Sequence, residues 1–161
     1  MPEVSRPIAL AAFVAGLAGT SNAAQSDREA GAQVWRLPAA EIAAQVDPRP
    51  GDNGTALREH PTDGTYRVLT LRRDVSGDVE VHTHWNDVFY IQSGRGEMIH
   101  GGRADGLRPT GPGELRGGTI AGGQRFPFGP GDMFVIPAGT PHQLVVPPRG
   151  SVRYAVVKTR H

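Results

Sequence analysis

The sequence predicts a single all-β domain built from short strands and many turns. The chain has 161 residues, the length of one ordinary domain. It contains 22 glycines and 14 prolines, which suits a fold with frequent turns. Few segments show a helical repeat, and several short runs of β-branched and aromatic residues are bounded by turn residues. A chain of this size buries a substantial core without disulfide bonds, and it has no cysteine to form them.

Residues 1–24 are expected to be a secretory signal peptide. An apolar run over residues 8–19 follows Arg6, and the small residues after it offer a cleavage site near Ala23 or Ala24. The run is shorter than the roughly 20 residues that cross a bilayer, so no membrane segment is expected in the mature form. These features predict a secreted or periplasmic protein. A buried N-terminal helix is the alternative interpretation.

Residues 25–64 are expected to be a connector without catalytic chemistry. Residues 34–37 are typical of a short strand. Residues 38–46 predict a short helix, because Pro38 suits its first position. His60 is expected to lie in a solvated loop.

Residues 65–161 are expected to form the β-domain. The alternating residues 66–73 predict its first strand, and residues 79–83 are also expected to be extended. Because strand residues i and i+2 point to the same face, His82 and His84 would present both imidazoles on one side of a sheet.

Asp87 is the next metal-binding side chain along the sequence. It lies three residues beyond His84, which is the wrong parity for one straight strand. Residues 85–87 carry the Asn and Asp chemistry of a tight turn, and a reversal there would bring the carboxylate back over the histidine face. Residues 88–92 then predict a strand, and residues 97–100 complete a hairpin with it. His100 is a candidate proton carrier, and a surface position is the alternative.

Residues 101–131 are rich in glycine and proline and have no clear pattern. Residues 107–113 are expected to be a loop, and residues 114–121 one extra strand or hairpin arm. This stretch has two interpretations: it is a lid that shapes a substrate pocket, or it is a solvent-exposed loop without a functional role. The remaining predicted strands cover residues 132–136, 143–146 and 151–157.

The order and spacing of these residues resemble the two motifs of the cupin superfamily. The first motif is a glycine, then His-x-His, then a carboxylate, six intervening residues and a glycine; it matches Gly77, His82, His84, Asp87 and Gly94. The second motif is glycine, five residues, Pro-x-Gly, two residues and histidine; it matches Gly131, Pro137, Gly139 and His142. The carboxylate here is Asp instead of the usual Glu, the first spacer is one residue shorter, and Val146 replaces an Asn that often follows the second motif. The resemblance implies a cupin-type double-stranded β-helix, or jelly-roll barrel, with a short N-terminal helix.

These residues predict a metal site with His82, His84, Asp87 and His142 as ligands of one divalent transition metal ion. Imidazole and carboxylate suit Fe, Mn, Ni, Cu or Zn, and the absence of cysteine excludes thiolate ligands. Asp87 is one methylene shorter than Glu, so it either binds the ion directly or stands back and hydrogen-bonds a ligand. The alternative is a set of core histidines in a barrel without a metal, each of which would need its own partner.

The predicted function is a metal-dependent enzyme acting on a small organic substrate, with dioxygenase chemistry favoured. Isomerase, lyase or decarboxylase chemistry on the same metal is the non-redox alternative. A secreted module that binds a sugar or an acid without turnover is the other class, because a fold alone does not determine activity. The formal net charge is +1 and no run of Lys or Arg occurs, so neither a nucleic-acid surface nor a membrane surface is visible. The expected partner is a small molecule, and the resemblance implies a homodimer.

Overall fold

The computed structural model describes residues 34, 36–47 and 53–161. The predicted signal peptide lies outside the described residues. The compact unit Arg36–His161 contains one helix and a series of short strands. In chain order they are α1 Ala39–Gln45, β1 Thr55–His60, β2 Tyr66–Arg73, β3 Glu80–His82, β4 Trp85–Ser93, β5 Gly96–His100, β6 Arg103–Asp105, β7 Arg108–Gly111, β8 Glu114–Arg116, β9 Thr119–Ala121, β10 Gln124–Phe128, β11 Met133–Ile136, β12 His142–Val145 and β13 Val152–Arg160.

The strands form two large antiparallel sheets and one small one. The five-stranded sheet has the order β1-β2-β13-β4-β11, and the six-stranded sheet has the order β10-β5-β12-β3-β8-β7. Strands β6 and β9 form the small sheet. This architecture, with its single short helix, confirms the predicted all-β jelly roll.

The hydrophobic core is formed by side chains from both large sheets. Strand β13 shows the pattern most clearly, because Val152, Tyr154 and Val156 are buried and alternate with half-buried residues. The Tyr154 ring stacks on Phe89 of β4 at a centroid distance of 5.6 Å. Opposite them, the six-stranded sheet contributes Met98 of β5, which has no exposed surface. This core supports the walls of the site described below.

The short helix was predicted within one residue at each end. Pro38 takes the N-cap position with φ −62° and ψ 138°, and the N–H of Val46 closes the last turn on the Ile42 carbonyl at 3.3 Å. Arg153 of β13 donates to the Ala43 carbonyl at 3.3 Å and ties the helix to the sheet. The described residues of the segment 34–37 are not in a strand, which differs from the prediction there.

Among the residues that the structure describes, no helix combines the length and the apolar character needed to cross a membrane.

The connector contains a strand that the sequence analysis did not predict. Strand β1 pairs with β2 along its whole length, from Thr55 opposite Arg73 to His60 opposite Val68. His60 is 4% exposed, and its Nε2 lies 2.9 Å from the Thr70 hydroxyl. The expectation of a solvated His60 was wrong, because β1 is long enough to carry this side chain into a hydrogen bond with the neighbouring strand.

The glycine-rich stretch is also more ordered than predicted. Strand β7 occupies most of the expected loop over residues 107–113. The expected arm over residues 114–121 is divided between β8, which pairs with β3 in the six-stranded sheet, and β9, which pairs with β6. The stretch therefore extends the sheet next to β3.

The chain reverses two residues earlier than predicted between β3 and β4. Strand β3 ends at His82, and the bend is at Thr83 and His84 instead of residues 85–87. The N–H of Thr83 donates to the Gly113 carbonyl at 2.9 Å, which fixes the bend against the β7–β8 turn. This early reversal decides which side chains of β3 can reach the interior.

Candidate metal centre

Strand β3 presents Glu80 and His82 to the interior. The two residues are two positions apart and therefore share a face. Strand β3 lies between β12 and β8, so it is hydrogen-bonded on both sides. In this structure the inward pair of β3 is thus Glu80 and His82 instead of His82 and His84.

The imidazoles of His82 and His142 face each other inside the barrel. Their ring centroids are 5.3 Å apart, and both side chains are almost completely buried. The Nε2 atoms of both rings are buried and make no hydrogen bond with any described residue. One donor atom from each ring and one oxygen of Glu80 all lie within 4.8 Å of one another. The prediction that distant histidines gather at one point is therefore consistent with this structure for His82 and His142.

The orientation of His142 is set by the turn that precedes it. Its Nδ1 donates to the Thr140 carbonyl at 3.0 Å, because a carbonyl can only accept. Burial lowers the pKa of His142, which favours the neutral ring. A neutral imidazole with its proton on Nδ1 directs the Nε2 lone pair towards His82 and Glu80. The lone pair is thus available to bind a cation.

Glu80 supplies a charged oxygen beside these nitrogens. Its Oε2 lies 3.3 Å from His82 Nε2, and its Oε1 forms a close ion pair with Arg116. Burial by itself raises the pKa of Glu80, but the contact with His82 and the charge of Arg116 outweigh this effect, and the pKa is lowered from 4.5 to about 2. Glu80 is therefore a carboxylate at neutral pH.

Asp87 lies near both imidazoles but is bound by a lysine. Its Oδ2 is 3.4 Å from His82 Nε2 and 3.9 Å from His142 Nε2. Lys158, directly opposite on β13, donates to Oδ1 at 2.7 Å and to Oδ2 at 2.6 Å. As placed, the carboxylate stands back from the imidazoles and pairs with the ammonium group. Direct metal ligation by Asp87 stays a prediction.

The other two histidines of the sequence analysis lie outside the cluster. His84 is exposed in the bend after β3, because the strand ends before this residue can turn inward. His100 lies opposite His142 in the β5–β12 register, and its ring packs on Phe126 at a centroid distance of 4.7 Å. Its Nε2 is buried without a hydrogen bond among the described residues. Ligation by His84 and proton transfer by His100 are not tested by this geometry and stay predictions.

A cavity opens beside the cluster between the two large sheets. Its polar wall includes Glu80, Asp87, His142 and Lys158, together with Arg73 and Arg116. Its apolar wall is formed by core residues of both sheets, among them Leu69, Leu71, Phe89, Leu144 and Val156. Glu80 and His142 of the cluster therefore border this cavity, and His82 lies behind them.

This arrangement fits a metal ion. Buried polar atoms normally have hydrogen-bond partners, so two unpaired imidazole nitrogens at one point need an explanation. Both nitrogens face carboxylate oxygens, and a cation between them would satisfy all of these electron-rich atoms together. Imidazole and carboxylate donors suit the divalent transition metals from Mn to Zn.

Two residues of the site were not named from the sequence. Glu80 could have been found, because the alternation from Val79 to His82 places it on the same face as His82. Lys158 could not, because its approach to Asp87 depends on the register of β13 against β4, and no sequence pattern gives that register.

Comparison with known proteins identifies the fold. No family model matches the chain, and no curated protein matches it. Among solved structures, the polyketide cyclase RemF from Streptomyces resistomycificus is similar over 80% of this chain and 82% of that chain, with a TM-score of 0.51 and 21% identity. The cupin domain of Cnp3 from Schizosaccharomyces pombe is similar over 70% and 66%, with a TM-score of 0.50 and 12% identity. BH2720 from Bacillus halodurans is similar over 65% and 70%, with a TM-score of 0.50 and 20% identity. With the jelly-roll topology described above, these similarities show that the chain has the cupin fold.

Proposed function

We propose that this protein is a metal-dependent enzyme that performs non-redox chemistry on a small organic molecule. Glu80, His82 and His142 would hold the ion. The observation that carries the proposal is the pair of buried Nε2 atoms, neither of which makes a hydrogen bond among the described residues, that converge with the Glu80 carboxylate beside a cavity. A divalent ion bound there would supply Lewis acidity that stabilises negative charge on a substrate oxygen.

The cavity wall defines the kind of substrate. The apolar side, with Leu69, Phe89 and Leu144, favours a hydrocarbon or aromatic body. The polar side lies at the donor cluster, so an oxygen-bearing end of the substrate would point there. A small, largely apolar molecule with a carbonyl or carboxylate group meets both requirements.

The formal charges around the cluster favour an anionic intermediate. The carboxylates are Glu80, Asp87 and Glu114, and the cationic side chains that pair with them are Arg73, Arg116 and Lys158. These six charges cancel. A divalent ion would add an excess of positive charge, which would stabilise an enolate or carboxylate form of the substrate. This excess charge favours proton-transfer chemistry on a carbonyl compound.

Asp87 and Lys158 are the groups of this chain that can move the proton. Both line the cavity, and they share a hydrogen bond within it. The Asp87 carboxylate would accept a proton from the substrate, and the Lys158 ammonium group would stabilise the charge that remains on the substrate. The pair would then return the proton to a different atom, to complete an isomerisation, a cyclisation or an elimination.

The similarity to RemF supports an enzyme on this fold, because RemF is a polyketide cyclase. The dioxygenase chemistry favoured by the sequence analysis is not tested by the geometry and is retained as an outcome of the experiment. A small-molecule binding module without turnover is the other outcome.

The test is turnover of a substrate panel by the metal-loaded full chain. Aromatic diketones, flavonols and hydroxy acids are incubated with enzyme, products are identified by mass spectrometry, and dissolved oxygen is followed in the same vessel. We expect products formed without oxygen uptake, and loss of turnover in Asp87→Asn but not in Asp105→Asn, an exposed control. Oxygen uptake that matches product would support the dioxygenase instead. Binding without turnover of any compound, with every metal tried, would contradict the enzyme proposal.

A further inference from the structure

Strand β8 places two charged side chains directly opposite the inward residues of β3. In the antiparallel register, Arg116 pairs with Glu80 and Glu114 pairs with His82. Residues directly opposite each other on antiparallel strands share a face and lie close together. Strand β8 therefore supplies a second row of side chains behind the donor row of β3. It belongs to the glycine-rich stretch whose role the sequence left open.

Glu114 forms the one of these two contacts that involves a histidine. Its Oε2 lies 2.6 Å from Nδ1 of His82, and both side chains are largely buried. A carboxylate only accepts, so Nδ1 is the donor. A neutral imidazole with its proton on Nδ1 has its lone pair on Nε2, which faces His142 and Glu80. Glu114 thus accepts a hydrogen bond from Nδ1 of His82, as the Thr140 carbonyl does from Nδ1 of His142.

The backbone around β8 holds Glu114 at this distance. The Gly113 carbonyl accepts from Thr83 at 2.9 Å, and the N–H of Gly117 donates to Val79 at 2.9 Å, so both ends of β8 are fixed to the β3 segment. Gly113 has φ +73°, and a Cβ there would lie 2.5 Å from Cδ2 of His84. A glycine is needed at this position for the turn to approach the bend so closely.

We propose that Glu114 is a positioning residue that holds the Nδ1 proton of His82, so that Nε2 is directed at His142 and Glu80. The proposal depends on the proposed function for what the lone pair serves, which is binding of the metal ion. Carboxylate partners of this kind orient metal-binding histidines and raise their basicity. The glycine-rich stretch then has a structural role, because its strand β8 places Glu114 beside His82.

The first test is metal affinity. The full chain is titrated with Zn²⁺ against a competing chelator, for the wild type, Glu114→Ala and Glu114→Gln. We expect the alanine variant to bind about 10- to 100-fold more weakly. The glutamine variant should recover most of this loss, because its amide oxygen can still accept from Nδ1. Glu97→Ala is the matched control, since Glu97 pairs with Arg125 across two strands at an exposed position.

The second test is independent of metal binding. In metal-free protein labelled with ¹⁵N, the His82 ring nitrogens, assigned with a His82→Gln variant, should report a proton on Nδ1 that is hydrogen-bonded to a carboxylate. Glu114→Ala should lose this Nδ1 signature, and Glu97→Ala should keep it. Should the alanine variant not fold, Glu114→Met retains the volume without the acceptor and carries the same expectation.

The two tests separate the positioning role from the proposed function. Loss of the Nδ1 signature in Glu114→Ala, together with a wild type that binds no metal, would support Glu114 as the residue that orients His82 and would contradict the metal centre. An unchanged Nδ1 signature in Glu114→Ala would overturn the positioning role, as would a Zn²⁺ affinity of this variant within about twofold of the wild type.

Discussion

Replacing Lys158 by methionine is expected to destabilise the protein strongly. Lys158 and Asp87 are 7% and 2% exposed, and the ammonium group contacts both carboxylate oxygens. Lys158→Met keeps most of the apolar stem of the side chain and removes its charged end, so it leaves Asp87 as a buried carboxylate without its cation. Breaking a buried pair in this way costs about 3–5 kcal/mol.

The doubly neutral variant should recover much of the loss. Asp87→Asn combined with Lys158→Met removes both charges, and a buried ion pair replaced by neutral groups of similar size often costs little. The free energy of unfolding is measured by urea denaturation with a chelator present, so that bound metal does not contribute. A double-mutant cycle then gives the coupling between the two side chains.

An exposed ion pair of the same protein is the control. Arg67 donates to both carboxylate oxygens of Glu59 at 2.7 Å, but these side chains are 32% and 45% exposed. Exposed pairs contribute about 0.2–1 kcal/mol, so the coupling there should be several times smaller. A loss below about 1 kcal/mol in Lys158→Met, or equal couplings in the two cycles, would refute the reasoning.

Three further predictions concern the rest of the fold. Burial lowers the pKa of His60 below its ordinary 6.5. The free energy of unfolding should therefore have its full value above pH 6.5 and fall as the pH drops through the lowered pKa. His60→Gln should flatten this part of the stability curve, and an unchanged slope would contradict the prediction. Gly94→Ala should prevent folding or cost well over the roughly 1–2 kcal/mol expected for Gly64→Ala. Both glycines have positive φ, but only at Gly94 would a Cβ meet a backbone atom, at 2.0 Å. Equal losses of unfolding free energy in urea denaturation would exclude the clash. Met98→Ala should lower the free energy of unfolding by about 2–5 kcal/mol, because this side chain has no exposed surface. Met133→Ala should change it by no more than about 0.5 kcal/mol, because that side chain is 60% exposed. Similar melting temperatures of the two variants would argue against this core.

The fold was largely predictable because the strand patterns and the second motif are local. The strands predicted over residues 132–136 and 143–146 are found within one residue as β11 and β12. The extent of the first-motif strand was less certain. Glu80, His82 and His84 all follow one period of two, and the end of β3 at His82 leaves His84 outside the strand.

The contacts between distant strands could not be predicted. Lys158 reaches Asp87 because β13 pairs with β4 in one particular register, and Glu114 reaches His82 because β8 adds to the free edge of β3. Both depend on long-range pairing across irregular turns, where a shift of one residue would send each side chain to the opposite face. The glycine-rich stretch around Glu114 gave no pattern from which that register could be deduced.

The metal content of the purified full chain is the decisive measurement for the proposed metal centre. After reconstitution and removal of excess ion, the wild type and His84→Ala should each retain about one equivalent of a divalent transition metal, and His82→Ala and His142→Ala should retain almost none. All four proteins should show the same circular dichroism spectrum. A folded wild type without bound metal under every condition, or equal metal content in all four proteins, would contradict the account.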